Sequence, residues 1–443
     1  MTRFVGMVVF LGGLAVALVA LGAGFYLLAG FAAGISVSWG GPPEYGAAVA
    51  NLLTLMLVVV MVTAAALVVA ERKWSAMMQD RMGPNRIKVF GATLGGMPFL
   101  VADALKMLTK ENVQPEARSR ALYNLAPVLA FAPVFALFAV VPVGPKVQVL
   151  GYQVALQVAS PDAGLLYLFA IASLAVYGTT LAGWASNNKL AMLGGVRASS
   201  QMISYEVSLG MSLVGTMVVF QSLRIEEMVA AQAQAVWGWL PAWGLFLQPV
   251  GFLVFFASAF AETKRAPFDL PEGESEIIGY FIEYSGMKFG MFMLSEFVEV
   301  VILAGIITAI FLGGGHPLLV SPERLRELVG SPLAYGAVSA AIFLAKVLFL
   351  CYLQFAVRWA LPRFRYDQIQ RLCWKMLLPT ALANAFVTAA AFLLDRPGSL
   401  EVVTWIGVAE MAGIAVLTVA VARSPEPAGH DDHGHAAPVP AGH

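Results

Sequence analysis

The sequence predicts an all-α, polytopic membrane protein, and three observations carry that prediction. Of its 443 residues, 59% are hydrophobic and only 12% charged, with a mean hydropathy of +0.77. A soluble chain carries roughly 25% charged residues. Ten apolar stretches lie near 5–30, 48–70, 121–143, 163–183, 203–222, 244–261, 289–312, 335–357, 376–394 and 402–422. Each is close to the roughly 20 residues that cross a bilayer core as a helix. Lipid offers the backbone no hydrogen-bond partner, so helices are the expected form. With the N-terminus placed inside, the inside segments hold 21 Lys and Arg and the outside segments 5. That asymmetry puts the N-terminus and the main loops on the cytoplasmic side of a bacterial-type inner membrane.

Composition also excludes. Formal net charge is zero, so nothing draws the chain to nucleic acid. The two cysteines, Cys351 and Cys373, lie 22 positions apart. They form no CxxC pair, iron–sulfur spacing or disulfide framework. No glycine-rich dinucleotide fingerprint follows a strand. A redox cofactor would therefore sit on another chain or be a diffusible small molecule.

Taken in order, the first stretch has one basic residue, an apolar run too long for a signal-peptide core and no clear cleavage site. That points to a retained helix rather than a cleaved leader. Residues 71–120 form the largest inside segment. Gly83-Pro84-Asn85 marks a turn there, and Met97, Leu100, Val101, Ala104, Leu105 and Leu108 recur at helical spacing beyond it. The pattern predicts an amphipathic helix lying on the membrane surface, on a partner, or on the chain's own loops. Residues 184–202, rich in Gly, Ser and Asn, read as a short inside loop, after which Glu206 enters a span.

The stretch 261–296 is the most informative. Six of the chain's 27 acids (Glu262, Asp269, Glu272, Glu274, Glu276 and Glu283) fall within 22 positions, between long apolar segments. A carboxylate at membrane depth costs roughly 2.5–3.5 kcal/mol at a helix centre, so such groups face a wet cavity or a partner and mark ion paths. Pro267 and Pro271 prevent one continuous helix. An ordinary solvated loop is the plain alternative. Glu296 and Glu299 follow at i, i+3 and share a helix face, while Lys346 and Glu410 fall near the middle of their spans. The tail after Arg423 holds four of the five histidines, with Asp431 and Asp432. It could hold a metal loosely, but a disordered, solvated tail fits the composition better, and no metal site is predicted.

Several segments together resemble one family. They are Glu71-Arg72-Lys73, RMGPNR (81–86), ADALKMLTKE (102–111), LAVYG and GWAS (174–186), ISYE (203–206), APFDLPEGESE (266–276), IEYSGMKF (282–289) and RFRYDQ (363–368). From about residue 50 to about 395 the chain is similar to the H subunit of proton-pumping NADH:quinone oxidoreductase, the heel of respiratory complex I. The resemblance implies a membrane subunit that docks the soluble arm and encloses the chamber where ubiquinone or menaquinone enters from the bilayer. NAD and iron–sulfur clusters would belong to partner subunits. Those partners would be soluble quinone-module iron–sulfur subunits, small membrane subunits and antiporter-like subunits.

Carried over residue by residue, Arg72, Arg81, Asp103, Phe268 and Arg358 would line or shape the quinone chamber. Asp269, Glu272, Glu274 and Glu276 would form the acidic loop between chamber and membrane. Glu206, Glu262 and Glu296 would begin the chain of ionisable groups for proton translocation, with Glu71 and Glu283 at its cytoplasmic edge. Ser173 stands where some bacterial members carry a glutamate, which leaves that route one acid fewer or a water there. An extra N-terminal helix and loop (1–47), a further C-terminal helix (396–422) and the tail (423–443) would flank a quinone-chamber domain at 48–395. Two rival functions are a membrane-arm subunit of an energy-converting hydrogenase and a free-standing secondary transporter. The intact GPNR and PFDLPEGESE segments speak against the first, and the lack of self-similar halves against the second.

Overall fold

The computed structural model describes residues 2–88, 91, 94–237, 240–273, 277–318, 320–394 and 400–423. Glu274, Glu276 and the histidine-rich tail lie outside the described residues. The chain opens with α1 (Thr2–Ser38) and α2 (Pro43–Met78), followed by the short α3 (Pro98–Thr109). Then come α4 (Arg120–Phe138), α5 (Gly164–Ala185), α6 (Lys189–Phe220), the short α7 (Ile225–Ala231) and α8 (Pro249–Glu262). The last five are α9 (Gly286–Phe311), the short α10 (Pro322–Val329), α11 (Pro332–Ala360), α12 (Tyr366–Leu394) and α13 (Glu401–Arg423). Among the described residues, nine helices are long and apolar enough to cross a membrane. The protein is an all-α, polytopic membrane protein, as composition requires.

The tenth apolar stretch behaves differently. Residues 244–261 are expected to form one span, but α8 has only 14 residues, about 21 Å of helix. Pro249 brings no N–H, and Gln248 leaves the helical region at φ −142°, ψ 58°. The helix therefore starts at 249, after a separate turn at Gly244–Leu247.

The loop expected at 184–202 shrinks to residues 186–188, because α6 begins at Lys189. Asn188 caps it, its side-chain oxygen accepting from the Leu190 N–H at 2.9 Å. The glycines that suggested a loop serve contact instead. A Cβ on Gly194 would lie 2.8 Å from the Tyr280 backbone nitrogen.

Two small hairpins add to the helices: β1 (Gly144–Val149) with β2 (Tyr152–Leu156), and a pair at 235–236 and 240–241. The first hairpin lies under α1 and α2. Tyr26 donates to the Pro145 carbonyl at 2.7 Å, and Asn51 to the carbonyls of Ala155 and Gln157 at 2.8 Å each. These contacts gather 139–163 and 312–331 at one end of the helices. At the other end, the Ser119 N–H bonds Ala185 and the Phe364 N–H bonds Pro267, both at 3.1 Å.

At the centre stands α9, in which every residue from Ser295 to Phe311 is buried. Its exit is held by Lys346, whose ammonium donates to the carbonyls of Leu312, Gly314 and His316 at 2.6, 2.9 and 2.6 Å. That ammonium also lies 4.1 Å from the Trp243 ring centroid. The amphipathic α3 packs on the chain itself through Met107, which meets α9 at Gly290. Val101, Leu105 and Leu108 on its other side remain exposed.

Candidate functional site

Where α2 ends, the chain folds back through RMGPNR and encloses a cavity of about 610 Å³. Gly96 makes that return possible. It sits at φ 89°, and a Cβ there would lie 2.5 Å from the Pro84 carbonyl oxygen, so only glycine fits. Val68, Phe99, Met293, Phe297 and Trp359 give the cavity apolar walls. Glu71, Arg72, Arg81, Arg86 and Arg358 give it polar ones. The Arg72 guanidinium is spread over Phe99 at 4.7 Å from the ring centroid.

Glu71 joins this cavity to the interior. One carboxylate oxygen pairs with Arg358 and the other with Arg265, at 2.7 Å. Arg265, with 8% of its side chain exposed, also reaches Glu296 at 3.9 Å. Its guanidinium is 3.8 Å from the Phe297 ring centroid. Tyr280 donates to the other Glu296 oxygen at 3.3 Å. One turn further along α9, Glu299 pairs with Lys264 at 3.4 Å. Glu299, Glu262 and Glu206 then converge on an apolar void of about 40 Å³ between Phe169, Leu209 and Phe255. That is room for about one water molecule. Glu262 keeps a buried oxygen without a hydrogen-bond partner among the described atoms.

The acidic loop that carries Lys264 and Arg265 is fastened on two sides. Gln201 of α6 donates to the carbonyls of Ala261 and Phe268 at 2.7 and 2.9 Å. The Phe268 ring packs between Tyr205 and Phe364, with centroids 5.6 and 5.5 Å away. Burial alone would push the Lys264 ammonium down, but Glu299, Glu296 and Glu262 around it hold it above the ordinary lysine value. Burial, with Glu296 beside it, raises the Glu272 carboxyl well above the usual carboxylate range. Tyr280 is raised for the same two reasons. The loop thus holds groups of both signs whose protonation depends on one another.

The structure brings together Glu71, Arg72, Arg81 and Arg358 around the cavity, and Glu206 and Glu262 with Glu299 around the void. Glu296 links the two regions through Arg265. Asp103 is half-buried on α3 and not part of the cavity wall. Phe268 faces α6 and residue 364 rather than the cavity. The Asp269 carbonyl accepts from Arg363. Glu283 accepts from Asn188 at 2.5 Å, at the junction of α5 and α6. Ser173 bonds back to its own helix at the Ala170 carbonyl. Sequence reasoning missed Arg265, Lys264 and Tyr280 as site residues. The basic pair was visible, but it read as ordinary positive charge flanking a span.

The NADH dehydrogenase family matches residues 50–389, leaving α1 and α13 outside the match. One of two NADH-quinone oxidoreductase H subunits of Geobacter sulfurreducens, the one numbered 2, is 42% identical over 345 residues, covering 78% of this chain and 95% of that protein. The H subunit of Anoxybacillus flavithermus is 43% identical over 323 residues, 73% of this chain and 87% of its own. That of Flavobacterium psychrophilum is 40% identical over 329 residues, 74% of this chain and 92% of its own.

Proposed function

The chain belongs to the NADH dehydrogenase family, and from that premise we propose a specific task within a proton-pumping NADH:quinone oxidoreductase. The chain walls the membrane end of the quinone chamber and couples quinone reduction to proton movement through its buried carboxylates. A single observation carries this reading: Glu71 belongs both to the cavity wall and to the ion chain that leads through Arg265 to Glu296.

The cavity suits a quinone, an apolar molecule with a polar head, because it offers apolar walls and a few convergent polar groups. Its volume is within the range of small-molecule sites, roughly 300–1,000 Å³. Iron–sulfur clusters on soluble partner subunits supply the electrons, and NAD binds there too. Reduction of a quinone to quinol takes up two electrons and two protons. Negative charge develops on the headgroup before protonation is complete. Arg72, Arg81 and Arg358 lower the cost of that charge, and a shift of Arg358 toward it loosens its pairing with Glu71. Arg265 is then shared differently between Glu71 and Glu296. In a low-dielectric interior such a change is felt strongly over a few ångströms. Lys264, Glu299, Glu262 and Glu206 respond by redistributing protons. The loop 262–283 is the two-state element, with its basic pair as the hinge of charge. In this reading the loop faces the cytoplasm, on the strength of the 21-to-5 charge asymmetry.

The test uses the complex isolated through a tag on this chain. NADH-driven quinone reduction blocked by a quinone-site inhibitor is expected, together with co-purified soluble subunits. The double variant Glu206→Gln, Glu296→Gln should assemble and keep electron entry into the soluble arm, measured with an artificial acceptor. Quinone turnover and pumping should fall together. Unaltered pumping in the assembled double variant would sink the proposal.

A further inference from the structure

The start of α8 is built from parts that α8 does not own. Its cap residue, Gln248, makes no side-chain hydrogen bond to the helix. Its amide instead donates to Thr388 at 2.7 Å and accepts from Asn384 at 2.8 Å, both on α12. Pro249 has no N–H to offer. The first available donor, the Val250 N–H, is met at 3.4 Å by a carboxylate oxygen of Glu410. That residue comes from the middle of α13, beyond the segment matched to the family.

The placement is tightly packed. A Cβ on Gly407 would lie 2.1 Å from the Phe246 carbonyl oxygen, and the rings of Trp405 and Trp237 are 4.8 Å apart. Beside it, Asn384 is 5% exposed and its side-chain oxygen has no hydrogen-bond partner among the described atoms. A helix start needs only an acceptor, and Ser, Asn or Asp from the cap position usually provides one. A carboxylate at membrane depth is the costlier choice, and what it adds is attraction to the positive end of the helix dipole. The other end of this 14-residue helix is Glu262, at the void shared with Glu206 and Glu299. Whatever holds the start of so short a rod sets where Glu262 stands.

We propose that Glu410 is a positioning residue: it anchors the start of α8 and, through that helix, holds Glu262 against Glu206 and Glu299. The inference relies on the proposed function for what the acids do; the anchoring itself can be tested without it. In the assembled complex, Glu410→Gln keeps an acceptor oxygen and loses the charge, and Glu410→Leu loses both. A carbodiimide reacts with protonated carboxyl groups in apolar surroundings, and mass spectrometry follows its rate of labelling at Glu262. Labelling should be roughly two- to fivefold faster in the Gln variant, the range a lost helix-terminus charge allows, and faster still in the Leu variant. Quinone turnover should show a lower kcat at unchanged KM.

Labelling and kcat equal to the unaltered complex in both variants would overturn the proposal. Where the Leu variant fails to assemble, the Gln variant decides. Gly407→Val, which pushes α13 off Phe246 with Glu410 intact, should also speed labelling, and unchanged labelling there counts against the anchor. A complex that reduces no quinone would refute the function proposed above and leave the labelling comparison standing.

Discussion

Arg265 stands between two carboxylates on different sides of one wall: Glu71, which borders the cavity, and Glu296, which is enclosed. Removing one partner from a buried ion pair costs about 3–5 kcal/mol, because the remaining charge is stranded. Arg265→Leu should therefore cut recovery of the assembled complex sharply. Arg265→Lys keeps the charge but not the planar fork that spans two carboxylates, so its recovery should fall between the two. Comparing yield and Tm of the purified complexes checks this, and a Leu variant as stable as the unaltered complex would contradict it. The acids around Arg265 were legible in the sequence, since a carboxylate between apolar spans is costly and must have a reason. The arginine was not. A basic residue beside a span is so common that nothing local distinguishes a buried partner from a surface charge, and only the fold brings it to Glu71, 194 positions away.

At the scale of elements, glycine separates what sequence can and cannot tell. Gly178 of α5 faces α4 so closely that a Cβ would lie 2.4 Å from the Ala130 nitrogen and 2.6 Å from its Cα. Backbone cannot move aside as a side chain can. Gly178→Val should thus cost about 1–3 kcal/mol or more from overpacking. Gly12→Val, where nothing lies within 4 Å, should cost little and serves as the control. The readout is Tm of the purified complex; equal values for the two variants would refute the close-packing account. The same residue type misled the reading of 184–202, where glycines at a helix contact resemble glycines in a loop. The short α8 was also hidden, because hydropathy runs on through Gln248 while the backbone does not. The apolar spans themselves were plainly legible, being fixed by bilayer thickness rather than by tertiary context.

For the molecule as a whole, α1 is an integral wall. Tyr26 is fully buried, bonds Pro145 and lies against Gly336, where a Cβ would come within 2.8 Å of its ring. Peptides from residues 12–38 should therefore be recovered by mass spectrometry from the purified complex, and their absence would show that α1 is removed. The burial of α9 has a consequence for how the chain is made. This helix leaves the ribosome after α2 and α4, against which it packs, but before α11, which closes its remaining side. Between those two moments in translation, Glu296 and Glu299 have no complete sheath. The nascent protein must then pass through a stage in which its most polar transmembrane segment is sheltered by the insertion machinery, and release from that machinery waits on the synthesis of residues 332–360.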